Sequence, residues 1–272
     1  MKRTITYLLL FLTIQPILAQ TTKRNFKQRE LGILLGGSYY IGDLNNWKHF
    51  IYSKPAAGIF FRYTTNYRYA FRFGFNYGGL YGDDSKSKEP DQLLRNTNFR
   101  TQLYELNAIA EFNFVEYRIG HKKHYFSMFI FAGLAGFYIN PEGNIGGGWE
   151  KLQPLRTEGQ NRGYSNYQFS IPFGIGVKYN LTDKIGLGFE WGPRKTFTDY
   201  IDDVSGLYPD PSSTTGGGLA YAYRLKDDYA LAGTMRGNPR TKDWYFYYGL
   251  TINIKLRDPA EVCYGVGGKK YH

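Results

Sequence analysis

Phe169-Ser170-Ile171-Pro172-Phe173-Gly174-Ile175-Gly176-Val177-Lys178-Tyr179-Asn180 alternates large apolar side chains with small or polar ones. Leu181-Thr182-Asp183-Lys184 then interrupts, and the alternation resumes with Ile185, Leu187, Phe189 and Trp191 against Gly186, Gly188, Glu190 and Gly192. A period of two means strand, and a short polar turn between two such runs means an antiparallel pair. One face of this pair is continuously apolar with aromatics toward its ends. The other carries glycine, small polar groups and charge. A soluble sandwich buries the apolar face in a packed core, whereas a membrane barrel turns it to lipid and lines its lumen with the other face. The stretch reads as two staves of such a barrel.

The rest of the chain can be read for the same pattern. Further alternating runs lie at Glu30–Ile41, Ala56–Thr64, Tyr69–Tyr81, Phe99–Phe114, His124–Ile139 and Trp244–Leu256. The strictest sets Phe71, Phe73, Phe75 and Tyr77 against Arg72, Gly74, Asn76 and Gly78. Leu103–Ala110 also has helical propensity, and His124–Ile139 is apolar on both faces, which fits a polar lumen poorly. Connections alternate between long (after the first, third, fifth and seventh strands) and short. The expected fold is all-β: an eight-stranded antiparallel up-and-down transmembrane β-barrel with long outer loops, whose narrow interior is filled by side chains.

Composition agrees. Of 272 residues, 18% are aromatic, including 26 Tyr and 20 Phe. Mean hydropathy is nevertheless −0.45, as expected where every second strand residue faces inward. Lys2 and Arg3 precede a short apolar run ending near Ala19, the layout of a secretory signal peptide over residues 1–19. Residues 20–29 then form a periplasmic segment, 30–256 the barrel and 257–272 a periplasmic tail. No run of 18 apolar residues follows, so no transmembrane helix is expected. Position 20 is Gln, not the cysteine of a lipoprotein anchor. The formal charge is +11, falling to +9 once Lys2 and Arg3 leave with the leader. The cations are dispersed, which argues against a nucleic-acid stripe; outer-membrane lipid and protein partners remain. The single Cys263 has no intrachain partner and leaves an inert thiol or an intermolecular disulfide.

Inward positions by parity include Glu105, Glu111 and Glu190 with Arg62, Arg72, Lys178 and Arg194. Buried charge persists only when paired, so these seven are expected to form a lumen ion-pair network that closes the bore. A proton or ion path is the weaker reading. Asp199, Asp202 and Asp203 concentrate in the last long loop. They lack the spacing of a calcium loop, and docking into the barrel mouth against Arg194, Lys195 or Arg156 is the preferred role. No catalytic motif occurs. An outer-leaflet lipid enzyme built on His49 and rim serines is the minor alternative, and a surface pair of His121 and His124 lacks further ligands. Neither cofactor nor metal is implied.

Four stretches carry a resemblance: Gly42-Asp43-Leu44, Thr157-Glu158-Gly159-Gln160, Ile171–Tyr179, and Arg194–Ser205 with Thr198, Asp199, Tyr200, Asp202 and Asp203. In this order they are similar to the PorG-like outer-membrane proteins of the type IX secretion system. The resemblance implies a non-enzymatic barrel that associates with a periplasmic ring of a PorK-like lipoprotein and a PorN-like partner, in service of protein export. On that reading the tail with Cys263 is a candidate docking element. A passive structural barrel or narrow pore is the alternative.

Overall fold

The computed structural model describes residues 27–214, 216–224 and 231–257. Its elements run β1 (Gln28–Ile41), β2 (Lys54–Thr64), β3 (Tyr69–Asp83), α1 (Pro90–Arg95), β4 (Asn98–Asn113), β5 (Phe126–Ile139), β6 (Glu142–Ile145), β7 (Gly148–Lys151), β8 (Tyr167–Asn180), β9 (Ile185–Thr196), α2 (Gly217–Ala222) and β10 (Trp244–Lys255). The eight long strands pair antiparallel with their chain neighbours, β3 pairs with β4, and β10 pairs with β1. The sheet therefore closes on itself as an eight-stranded up-and-down barrel. Closure leaves no free edge. The short hairpin β6–β7 extends from β4 beyond the barrel.

Alternation decides which way each side chain points. Phe71, Phe73, Phe75 and Tyr77 of β3 are exposed on the outer surface, while Arg72 and Asn76 between them are buried. Outward tyrosines form a belt near the loop end, with ring centroids 5.2 Å apart for Tyr77–Tyr104, 6.3 Å for Tyr104–Tyr138 and 4.9 Å for Tyr138–Tyr167. A second belt near the turn end includes Tyr69–Phe112 and Tyr125–Tyr179. Tyr69 and Tyr77 are separated by about 27 Å along the strand, or about 20 Å along the axis at a usual tilt. That is close to the roughly 25 Å apolar band of membrane barrels.

The two-sided apolar character of β5 now has a physical account. Its inward Phe129 and Phe131 fill space left open by glycines opposite. A Cβ on Gly176 would lie 2.5 Å from Phe129, and one on Gly174 or Gly192 would lie 2.6 or 2.5 Å from Phe131. The rings also cover cations, with Lys178 Nζ 4.3 Å from the Phe129 centroid and the Arg72 guanidinium 5.4 Å from that of Phe131. An aromatic ring and a glycine together do what a polar side chain was expected to do.

Several boundaries differ from the sequence reading. β1 starts at Gln28, so Arg29 lies in the barrel wall and not in the preceding segment. β9 continues through Pro193 to Thr196. Proline removes one ladder donor, and the β8–β9 pairing lapses at Phe173–Gly174 before resuming in the same register. The β5–β8 ladder likewise skips Gly133–Leu134 opposite Pro172. Leu103–Ala110 is strand, within β4. Tyr39, which shares the parity of the exposed Leu31, Ile33 and Leu35, is wholly covered because Phe50 folds back over it and Phe246 stacks on it at 4.6 Å. The expected signal peptide, residues 1–19, and Cys263 of the expected tail lie outside the described residues.

Candidate functional site

The interior holds two charged layers and a cap. Nearest the turns, Glu111 takes three cations: Arg62 Nε at 2.9 Å, Arg72 Nε at 3.3 Å and Lys178 Nζ at 2.6 Å. Arg62 also donates to Glu30 at 2.8 Å and to Asn253 at 2.9 Å, and Arg72 reaches Glu190 at 2.6 Å. Lys178 donates to Asn113 at 3.0 Å. Three carboxylates thus face three cations, all buried. Such a layer is tolerated because each charge has an opposite partner and further hydrogen bonds.

One layer nearer the loops, Glu105 receives hydrogen bonds from Asn76, Asn107 and the Tyr245 hydroxyl, each at 2.8 Å, and pairs with Arg194 at 3.2 Å. The seven predicted lumen residues are therefore brought to the interior as two groups, with Arg194 and Glu105 apart from the rest. Glu30, Asn113 and Asn253 complete the first group and were missed. Glu30 shares the parity of Gly32 and Leu34, which is the signal that would have found it.

Above these lies the cap. Ile201 and Val204 are fully buried and pack with Leu44, Leu152 and Tyr221 onto Phe99, Phe137, Ile139, Tyr245 and Tyr247 of the barrel mouth. The acidic loop thus docks into the mouth, but not on the residues expected. Arg194 sits a layer deeper and is taken by Glu105, while Lys195 and Arg156 are exposed. Its partners are instead Arg236, hydroxyls and a backbone amide, with Lys242 Nζ 3.9 Å from Asp199. Arg236 donates to the Asp203 carbonyl at 2.7 Å and pairs with Glu158 at 3.0 Å. The Asp203 carboxylate accepts from Thr157 and from Tyr164, the latter at 2.9 Å. Asp202 accepts from Tyr40 and from the Val204 amide, and Asp199 accepts from Ser205 at 2.7 Å.

The separated motifs converge here. Glu158 accepts the Ser205 and Gly206 amides at 2.9 and 3.0 Å, and Gln160 accepts the Glu158 amide at 3.2 Å. Gly159 turns at φ +70°, where L side chains are strained. Asp43 accepts the Asn238 amide at 3.1 Å, and Gly42 is tight against Asp243 and the Tyr40 hydroxyl, where a Cβ would approach within 2.1 Å. Thr198 accepts the Tyr200 amide at 3.2 Å, and Tyr200 stacks on Tyr164 at 4.8 Å. Arg95, which pairs with Asp84 at 2.7 Å and donates to the Arg236 carbonyl at 2.8 Å, ties α1 to the same cap. No local pattern in the sequence marked Arg95, Arg236 or Asp243.

Carboxylates outnumber cations in this cap, and the protonation equilibria reflect it. Burial pushes Asp203 up to about 7 against the opposing pull of Arg236, and burial pushes Asp199 up to about 6. Asp202 is raised well above the usual carboxylate range by burial and by Asp43, and Asp243 by burial and by Asp202. The three loop carboxylates face different partners, and among the described residues no cluster of three or more His, Cys, Asp or Glu is arranged to hold a metal. His49 is engaged by the Tyr39 hydroxyl at 2.9 Å and packs on Phe50 and Phe246. His121 and His124 lie with ring centroids 4.4 Å apart, and Glu116 is 3.6 Å from His124.

Among solved structures, the chain is similar to Ail of Yersinia pestis, crystallised with the heparin analogue sucrose octasulfate (10% identity, TM-score 0.42, covering 85% of this chain and 99% of that one). It is also similar to the N-terminal β-barrel domain of Pseudomonas aeruginosa OprF (11%, 0.38, 85% and 100%) and to Neisserial surface protein A (11%, 0.38, 85% and 97%). No curated protein matches it. The match that assigns a family is to a domain of unknown function, DUF6089, over residues 2–266. Spanning nearly the whole sequence, strands and capping loops alike, it places the chain in the DUF6089 family.

Proposed function

We propose that this protein is a non-enzymatic outer-membrane component of a type IX protein secretion machine, in contact with a periplasmic ring of PorK-like and PorN-like proteins. Its apolar outer band between two aromatic belts meets lipid, the long loops face outward and the short turns face the periplasm. The observation that carries the secretion reading is the convergence of the PorG-like stretches. Asp43, Thr157, Glu158, Asp202 and Asp203, far apart in sequence, meet in one hydrogen-bonded cap. Three of the four resembling stretches thus contribute to this built feature, while the fourth, Ile171–Tyr179, lies in the wall strand β8. A filled lumen beneath a docked cap suits a scaffold better than a pore.

Affinity purification of the tagged chain from gently solubilised membranes tests this. The ring proteins are expected to co-purify, and deletion of the gene is expected to strip exported proteins from the cell surface. Isolation of the barrel alone, together with normal surface proteins in the deletion strain, would overturn the reading.

A further inference from the structure

The two ends of the barrel differ sharply in charge. Among the described residues, the turn end comprises 27–29, 65–68, 114–125, 181–184 and 255–257. It carries nine Lys or Arg against two carboxylates, Glu116 and Asp183. Among the described residues of the loop end (42–54, 83–100, 140–166 and 195–243), fourteen cations meet thirteen carboxylates. The cations of the turn end are exposed or half-exposed, as are those of the loop end apart from Arg95 and Arg236, which are buried in pairs; the difference between the ends lies in the carboxylates that accompany them.

The cationic end is also held in shape. Gly120, at φ +82°, sits so close to the 181–184 turn that a Cβ would lie 2.5 Å from the Asp183 carbonyl. The Arg118 amide donates to the His124 carbonyl at 2.9 Å, and Asn180 donates to the Arg118 carbonyl at 2.6 Å. The two turns are thereby locked side by side, presenting exposed Lys122, Lys123 and Lys184. Phe114 and Tyr125 are exposed at the start and end of the longer turn. They mark the edge of the apolar surface, as interfacial aromatics do. Lys122 and Lys123 lie on the chain between these aromatics and are exposed.

We propose that this end is a docking surface for an acidic protein partner in the periplasm, with Lys122, Lys123 and Lys184 at its centre. The inference rests on the orientation adopted above and adds the chemistry of the contact. A rigid like-charged patch steers and selects a partner of opposite charge. Lipid phosphates are the competing occupant, because lysines near a bilayer edge reach for headgroups.

The test uses the full-length chain in its native membrane, with a photo-crosslinking amino acid at Asp183. The expected result is a protein adduct that falls at least tenfold in the Lys122→Glu/Lys123→Glu/Lys184→Glu variant and partially in the corresponding Gln variant. Heat-modifiable migration on unboiled gels confirms that each variant is an assembled barrel. An adduct that persists undiminished in the Glu variant, or an adduct to phospholipid alone, overturns the proposal. A charge-sensitive adduct to a protein outside the ring keeps the docking surface and overturns the secretion reading. A ring adduct insensitive to charge does the reverse.

Discussion

The charged layer around Glu111 and the cap around Asp203 are both buried, hydrogen-bonded and ionic, yet they are built on opposite terms. In the layer, Glu30, Glu111 and Glu190 balance Arg62, Arg72 and Lys178. In the cap, Asp43, Asp84, Asp199, Asp202, Asp203, Asp243 and Glu158 surround Arg95 and Arg236, with Lys242 at the edge beside Asp199. Balance ties the layer to the wall. Burial first, and the excess of carboxylates second, leaves the cap dependent on bound protons. One polypeptide thus holds a fixed plug below and a conditional one above.

Removing Glu111 should separate the two most sharply. Glu111→Ala leaves buried Lys178 without a carboxylate and takes from Arg62 and Arg72 one of their two carboxylate partners, and breaking such a set costs about 3–5 kcal/mol. The expected outcome is loss of the heat-resistant, fast-migrating band on unboiled gels. Arg236→Ala should instead leave that band intact and loosen the cap by about 2–4 kcal/mol, since Glu158 then loses its cation. Limited proteolysis should cut within 197–243 in the variant and not in the parent.

Titration gives a smaller effect of defined sign. Carboxyls whose folded pKa is raised hold protons that the open state would release, so closure is favoured at low pH and weakens as pH climbs toward the raised values. With Asp199 raised to about 6 and Asp203 to about 7 from an ordinary value of 3.8, the cap should be tightest below about pH 4 and progressively looser up to about pH 7. Each titrating carboxyl changes the opening constant by at most roughly tenfold per pH unit. Hydrogen exchange of 199–206 amides should show this trend after correction for intrinsic rates, and the same trend in barrel-strand amides would break the comparison. Asp203→Asn should be the mildest change, within about 1–2 kcal/mol, while flattening the pH response between 6 and 7.

The barrel and its cap were not equally legible from sequence. The strands could be read because the side-chain period is a local property, and parity placed Arg62, Arg72 and Lys178 inside without knowledge of neighbours. Where parity was obscured by an apolar partner, as with Phe129 and Phe131, the pattern misled until the glycines of β8 and β9 were seen opposite. The cap could not be read in this way. Arg236 meets Glu158 across a long stretch of chain, and no spacing rule links them. The motif residues marked the region but pointed to the wrong cations, because Arg194 and the acidic loop are separated by a full layer of depth.

The flap of Phe50 and His49 over Tyr39 has a bearing on assembly. Tyr39 belongs to β1, Phe246 to β10 and Trp191 to β9, and Trp191 donates its indole N–H to the Tyr39 hydroxyl at 2.9 Å. These rings straddle the seam where the first and last staves meet. The cover over them can seat only after the two chain ends have found each other. Indole emission from Trp191 is therefore an internal clock hand for the final stitch of insertion, separable from the earlier zipping of neighbouring hairpins.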